Sequence, residues 1–277
     1  MTLPPGAHDP RPVGGGDINE AYRVVLADGR DAFVKTRRDA APGEYEAEAV
    51  GLRWLAEPGL VRTPAVLAEG EDYLALEWID RGSLAEHGAE ELGRGLAGTH
   101  RAGAEDFGAP PGAPTATGFG SLRLPNEPAR DWPSFYRDQR LLPLLALASA
   151  RDALSASGAR AVESVCERIE QLCGPPEPPS RLHGDLWSGN VMAGADGRAW
   201  LIDPSCYGGH REVDLAMLRL FGAPSQRIFG AYEDAAPLAE GWHERIELYQ
   251  LAPLLVHAVL FGGAYGAAAQ RAAERYV

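Results

Sequence analysis

Along the first eighty residues, apolar positions alternate with polar ones or run in short blocks, the period of half-buried strands. Residues 1–12 are Pro-rich and read as extended, poorly ordered chain. Glycines then lead into a strand that ends at Leu26, Asp28-Gly29 makes a hairpin turn, and Asp31–Thr36 returns. Thr63–Leu67 and Tyr73–Ile79 read as two further strands around a turn at Glu69–Asp72. Between the two pairs, Pro42–Glu57 carries Ala49, Leu52 and Leu55 on one side of a helix.

From Leu84 the period changes to about 3.6, which predicts helices. They span Ala89–Ala102, Trp132–Leu147, Ala161–Leu172, a stretch from Tyr207 to Gly222, and residues 242–260 and 263–275. Gly103–Pro128 is a loop rich in Gly, Pro and Thr, longer than a connection requires and so expected to be functional or mobile. One short β-hairpin interrupts the helices: Val191-Met192 and Leu201-Ile202, turning at Ala195–Arg198. The pattern predicts an α+β chain. Residues 1–79 would form a small antiparallel sheet with one helix, and residues 80–277 a larger, mostly helical part, with Asp80–Ser83 as the joint.

Length allows one large or two medium units. The formal charge of −13 argues against nucleic acid or an acidic membrane as partner and suits a cationic substrate or simple solubility. Three cysteines provide neither metal spacing nor a disulfide framework; Cys166 and Cys173 are expected to pack as small hydrophobes. The start lacks the basic and apolar segments of a signal peptide, and the apolar run Leu251–Gly263 is too short to span a bilayer, so a reduced, cytoplasmic protein is expected.

The candidate chemistry lies around the hairpin. His183-Gly184-Asp185-Leu186-Trp187-Ser188-Gly189-Asn190 precedes it, and Asp203 ends its second strand. A carboxylate, an amide oxygen five residues on and a second carboxylate after a turn match the spacing of a kinase catalytic loop and its metal-binding Asp. Asp185 is then the base, with Asn190 and Asp203 as hard oxygen ligands for Mg2+. An ordinary polar loop accounts for one such residue more readily than for three in order. Lys35 closes the strand Ala32-Phe33-Val34-Lys35 just after a glycine hairpin, where kinases place the ammonium that grips ATP phosphates. In the following helix Glu48, on the face of Leu52, is the favoured carboxylate partner, with Glu46 as the other candidate. Backbone groups of Glu77, Trp78 and Ile79 would face an adenine edge. Trp187 either stacks on a sugar ring or packs its loop. His183 is expected to hydrogen-bond the catalytic loop, Asp214 to cap a helix or anchor that loop, and His257 to be a satisfied core histidine. His210 and Arg211 are candidates to reach substrate, with loop scaffolding as the plainer reading.

These motifs, with Gly209–Met217 and Leu248–Leu255 followed by Leu260-Phe261-Gly262-Gly263, resemble the fructosamine-3-kinase (ketosamine kinase) family from Gly14 to Tyr276. That family is a branch of the aminoglycoside phosphotransferase-like kinases. The resemblance implies a bilobal protein-kinase-like fold and ATP- and Mg2+-dependent phosphorylation of the 3-hydroxyl of ketosamines on protein lysines or free amines. That would be a deglycation activity. It also makes Gly14, Gly15, Gly16, Asp17, Ile18 and Asn19 the phosphate loop, and leaves monomer and homodimer open. Several members carry a cysteine in that loop where this chain has Asp17, so redox regulation does not carry over. Asp203-Pro204-Ser205 replaces the Asp-Phe-Gly of protein kinases, which argues against their activation-loop switch. Two rivals remain. One is a phosphotransferase for another cationic hydroxyl compound, an aminoglycoside or choline-like molecule. The other is a nucleotide-binding scaffold, which would need a lost lysine, base or ligand.

Overall fold

Five strands build the N-terminal sheet of the computed structural model, which describes residues 2–14, 19–222 and 225–277. They are β1 (His8–Pro12), β2 (Glu20–Val25), β3 (Asp31–Thr36), β4 (Val66–Gly70) and β5 (Tyr73–Glu77), with helix α1 (Glu44–Ala56) between β3 and β4. The sheet is antiparallel in the order β1-β2-β3-β5-β4. Two expectations change here. The Pro-rich start is an exposed edge strand, where prolines need donate no ladder hydrogen bond. The fourth strand begins after Pro64 rather than at Thr63, and a bulge separates Val66 from Ala68.

Strand periodicity decides what this sheet shows to the rest of the chain. Lys35 pairs with Leu74 and Phe33 with Leu76, so Lys35 lies on the face where Leu74 and Leu76 pack against Tyr45, Ala49 and Leu52 of α1. Val24, Val34 and Ala75 form a second small core on the opposite face.

The chain leaves β5 and is tied at once to the second half: Gly82 N donates to Ala193 O and Ala195 N to Asp80 O, at 2.9 and 2.8 Å. Next come α2 (Glu86–Ala102), β6 (Ala116–Phe119), β7 (Leu122–Pro125), α3 (Trp132–Tyr136), α4 (Leu142–Ala150), α5 (Ala156–Glu167) and α6 (Ile169–Leu172). They are followed by β8 (Ser180–Leu182), β9 (Val191–Ala193), β10 (Ala199–Leu201), β11 (Tyr207–Gly209), α7 (Glu212–Leu220), α8 (Gln226–Ala235), α9 (Trp242–Phe261) and α10 (Ala264–Glu274). The main core lies among α3–α5, α9 and α10, around Phe135, Leu141, Leu144, Leu248 and Leu255. A second one joins α2 and α8 to the β9–β10 hairpin through Leu96, Ile228, Tyr232, Leu186 and Leu201.

Several elements here differ from the expectation. Gly103–Pro128 is no featureless loop: it contains the β6–β7 hairpin and bridges from Phe107 to Ala129 and from Gly108 to Gly208. Tyr207–Gly209 is a strand paired with β8, not the lead into a helix. A π-helical turn at Arg137–Leu141 divides the helix expected over Trp132–Leu147 and carries Arg140 inside, its guanidinium 4.6 Å from the Phe135 ring and 4.2 Å from that of Tyr207. Helix α8 was not anticipated. Its signal is modest: Ser225 caps the helix, and Ile228, Phe229 and Tyr232 share one side. No helix among the described residues is long and apolar enough to cross a membrane.

Candidate active site

Asp185 sits on a loop anchored through its backbone amides. Asp214, at the start of α7, accepts hydrogen bonds from His183 N and Gly184 N at 2.8 and 2.9 Å, and His100 Nε2 lies 3.2 Å from the same carboxylate. Burial pushes against its charge, yet the His100 contact and the backbone amide keep the Asp214 pKa below the usual carboxylate value. Gly184 has φ +83°, and a Cβ there would lie 2.1 Å from Ser205 O, so only glycine allows the catalytic loop and the loop after Asp203 to approach this closely. His183 braces the same contact, donating from Nε2 to Ile202 O at 3.0 Å. Asp214 and His183 are thus anchors, as expected.

Three short connections bring the polar groups together. Asn190 just precedes β9 and Asp203 follows β10, so one hairpin carries both. Asn190 Nδ2 donates to Asp185 O at 2.8 Å and to Asp185 Oδ2 at 3.2 Å. Its Oδ1 receives no hydrogen bond from the described residues. Asp203 has φ +52°, a left-handed conformation that Asp tolerates better than most residues at a cost of about 1–2 kcal/mol. That geometry turns its half-exposed carboxylate toward Lys35, whose Nζ lies 2.9 Å from Oδ1. Lys35 Nζ also contacts Glu48 Oε2, while Glu46 stays exposed.

The electrostatics differ from group to group. Burial opposes the charge on Lys35, but Asp203 and Glu48 outweigh it and raise the ammonium above its ordinary pKa. Burial lifts Glu48 to about 7 against the pull of Lys35. Asp185 also rises to about 7, by burial first and then by the neighbouring Asp203 charge. Asp203 is held low by Lys35. A carboxyl group poised near neutrality beside an ionised carboxylate and a fixed ammonium suits proton acceptance during transfer of an anionic group.

These side chains line a cleft of about 300 Å³ between the sheet and the helical region. Asn19, Lys35, Glu48, Asp185, Trp187, Asn190 and Asp203 all face it. Asn19 Oδ1 accepts from Tyr45 at 3.0 Å. Gly15, Gly16, Asp17 and Ile18 lie outside the described residues, and Gly14 is not part of the lining. Trp187 is 37% exposed and meets Phe221 edge-on, with centroids 6.1 Å apart, so it borders the cleft and packs its loop at once. The far wall comes from segments with no site residue expected from sequence: the β6–β7 hairpin with Arg123, Asn126 next to it, and His257 and Phe261 on α9. His257 is therefore a half-buried cleft residue and no core histidine; its Nδ1 donates to Pro253 O at 2.8 Å, and burial lowers its pKa. A helical i, i+4 pair of His and Phe was the available signal.

Other candidates fall elsewhere. His210 is buried, stacked on Tyr249 at 5.3 Å, and burial lowers its pKa to about 4. Arg211 forks onto Glu177 at 2.8 Å through each of two nitrogens and donates to Ala236 O and Pro237 O. Neither lines the cleft: Arg211 is spent on the fold behind it, while His210 Nδ1 accepts from Glu212 N at 3.3 Å and its buried Nε2 finds no partner, so the substrate candidacy of both gives way to the scaffolding reading. Glu77, Trp78 and Ile79 also lie off the lining. Glu77 exchanges hydrogen bonds with Ala65, and Trp78 donates to Asp80 beneath the Arg23 guanidinium.

Comparison with known proteins agrees with this geometry. The sequence profile of the fructosamine kinase family matches residues 4–277. A Thermus thermophilus protein named as a probable ketoamine kinase is 39% identical over 261 residues, covering 94% of this chain and 91% of its own. A chloroplastic protein-ribulosamine 3-kinase of Arabidopsis thaliana is 34% identical, covering 96% of this chain and 81% of its own. A crystal structure assigned as a fructosamine-3-kinase from Thermobifida fusca superposes with a TM-score of 0.90 at 45% identity, covering 97% and 93% of the two chains. Small-molecule kinases below 25% identity share the bilobal α+β fold. The chain belongs to the fructosamine kinase family and is a kinase of the protein-kinase-like fold.

Proposed function

We propose that this kinase transfers the γ-phosphoryl group of ATP to the 3-hydroxyl of a ketosamine, with Asp185 as base. The observation that carries this is the set of oxygens and one ammonium gathered on one cleft: Asp185 poised near neutrality, Asn190 and Asp203 beside it, and Lys35 held by Glu48. Lys35 would grip the nucleotide phosphates, oriented by Glu48, with residues 14–19 as the phosphate loop and backbone groups of 77–79 at the adenine edge. Asp185 would orient the acceptor hydroxyl and take its proton as the phosphoryl group moves across.

The donors present fit Mg2+: a carboxylate and an amide oxygen that is uncommitted among the described residues, with phosphate and water oxygens to complete the shell. Asn190 and Asp203 would hold the ion, which when bound neutralises charge on the phosphate oxygens. We place the division between the two lobes at residues 79 and 80. The three cysteines, free and buried, suit a reducing cytoplasm. A ketosamine acceptor follows from the family, and the relative named as a protein-ribulosamine 3-kinase makes glycated protein a candidate carrier, hence deglycation.

The test is ATP consumption with ribulosamine, erythrulosamine, fructosamine and one aminoglycoside. Turnover confined to ketosamines, with phosphate on O3 by NMR, is the expected result. Turnover on the aminoglycoside alone would move the acceptor to another cationic alcohol and leave the mechanism standing.

A further inference from the structure

Apart from Lys35, whose charge is committed to Glu48 and Asp203, the cationic side chain on the described cleft lining is Arg123. Its position follows from strand register. Leu122 and Leu124 of β7 are buried, so period-two alternation turns Arg123 to the other face, where it is exposed and lines the cleft. Directly across the hairpin stands Gly118, and a Cβ built there meets nothing within 4 Å, so the ground facing Arg123 is open.

The hairpin itself is firmly tied to the reacting region. Ser205 Oγ donates to Gly118 O, and Asn126 Nδ2 to Cys206 O at 3.3 Å. Arg140 donates to Pro125 O and Asn126 Oδ1 at 2.6 and 2.8 Å. Arg123 is thus a charge on a rigid strand two residues from these anchors.

The described charges around it leave it without a mate. Glu44 is held by Arg37 at 2.7 Å, and Glu48 and Asp203 by Lys35. Arg123 makes no ion pair or side-chain hydrogen bond with any described residue. A guanidinium on the far wall of the cleft, with no partner among the described residues, repels polycations and rewards an anion. Resting on the ketosamine-kinase reading, we propose that Arg123 selects the acceptor by binding an anionic group on it. The favoured substrates are then ketosamines of free α-amino acids, whose carboxylate is available. In a ketosamine on a protein lysine that carboxylate is locked into the peptide chain.

The test uses three acceptors sharing one sugar: the ketosamines of alanine, of ethanolamine and of lysine within a neutral capped peptide. A 5-phosphorylated ethanolamine ketosamine is a fourth arm. The parent enzyme is expected to prefer the alanine over the ethanolamine adduct by about tenfold or more in kcat/KM, the scale of one charge-assisted contact. Arg123→Gln brings that ratio near unity, Arg123→Lys keeps part of it, and Arg123→Glu inverts it. An equal loss on all acceptors with a raised KM for ATP would assign Arg123 to the nucleotide phosphates and overturn the proposal. A charge preference seen only with the 5-phosphate overturns the carboxylate assignment. Absence of turnover on every ketosamine by the parent would instead sink the ketosamine reading itself.

Discussion

Two clusters of charged and polar residues lie within the second half of the chain, and they are built from similar side chains. One is the cleft group of Asp185, Asn190 and Asp203 with Lys35 and Glu48 from the sheet region. The other, behind it, joins Glu177, His210, Arg211, Glu212 and Arg245. In the rear cluster the charges are consumed internally: Arg211 forks onto Glu177, and Arg245 onto Glu212 at 2.8 and 2.5 Å, while the buried His210 Nε2 has no hydrogen-bond partner. In the cleft cluster, oxygens of Asp185, Asn190 and Asp203 remain turned to open space. A polar motif becomes a site when its unspent hydrogen-bonding capacity faces open space. Buried behind the cleft, it is scaffold.

The contrast can be broken most decisively at Asp185. Asp185→Asn keeps shape and removes the proposed base, so kcat should fall by about a thousandfold while nucleotide affinity measured by calorimetry stays near the parent value. Near-parent turnover would return Asp185 to an orienting role. Next in size is the rear cluster. Glu212→Ala leaves the buried Arg245 uncompensated and should cost about 3–5 kcal/mol of stability, read as a lower denaturation midpoint, with the folded fraction's KM for acceptor unaltered. A raised acceptor KM at full stability would make this cluster part of the site after all.

Glu48→Gln loosens Lys35 without unpairing it from Asp203. A loss of about a hundredfold or less in kcat/KM for ATP is expected, smaller than at Asp185 because the ammonium remains in place. The smallest effect is a pH profile. A base works ionised, and burial with the Asp203 charge holds Asp185 near 7. Activity of the free enzyme should therefore climb about tenfold per pH unit up to about 7 and then level off. His210 stays neutral well below that range, so His210→Gln should leave the inflection where it is. An inflection that vanished in this variant would link the rear cluster to proton transfer.

Local pattern carried much of this. The span Asp31–Thr36 coincides with its strand, and alternation along it put Lys35 on the face of α1, where helical spacing singled out Glu48 over Glu46. The hairpin that carries Asn190 and Asp203 was legible for the same reason: both strands and the turn are contiguous. Arg211 stayed a substrate candidate beside the plainer scaffolding reading because its sequence neighbourhood does not reveal Glu177, thirty-four residues upstream.

What the sequence alone determined were the features set within one or two turns of chain: strand period, helix face, and the order of the polar residues proposed as base and ligands. Tertiary structure decided which polar groups stay free. It paired β8 with β11, folded 103–128 into a hairpin, and carried Arg123 and His257 to the cleft wall. Those outcomes depend on contacts between segments tens of residues apart, whose pairing is chosen by packing and by satisfaction of buried polar groups over the whole chain. No local period encodes that choice.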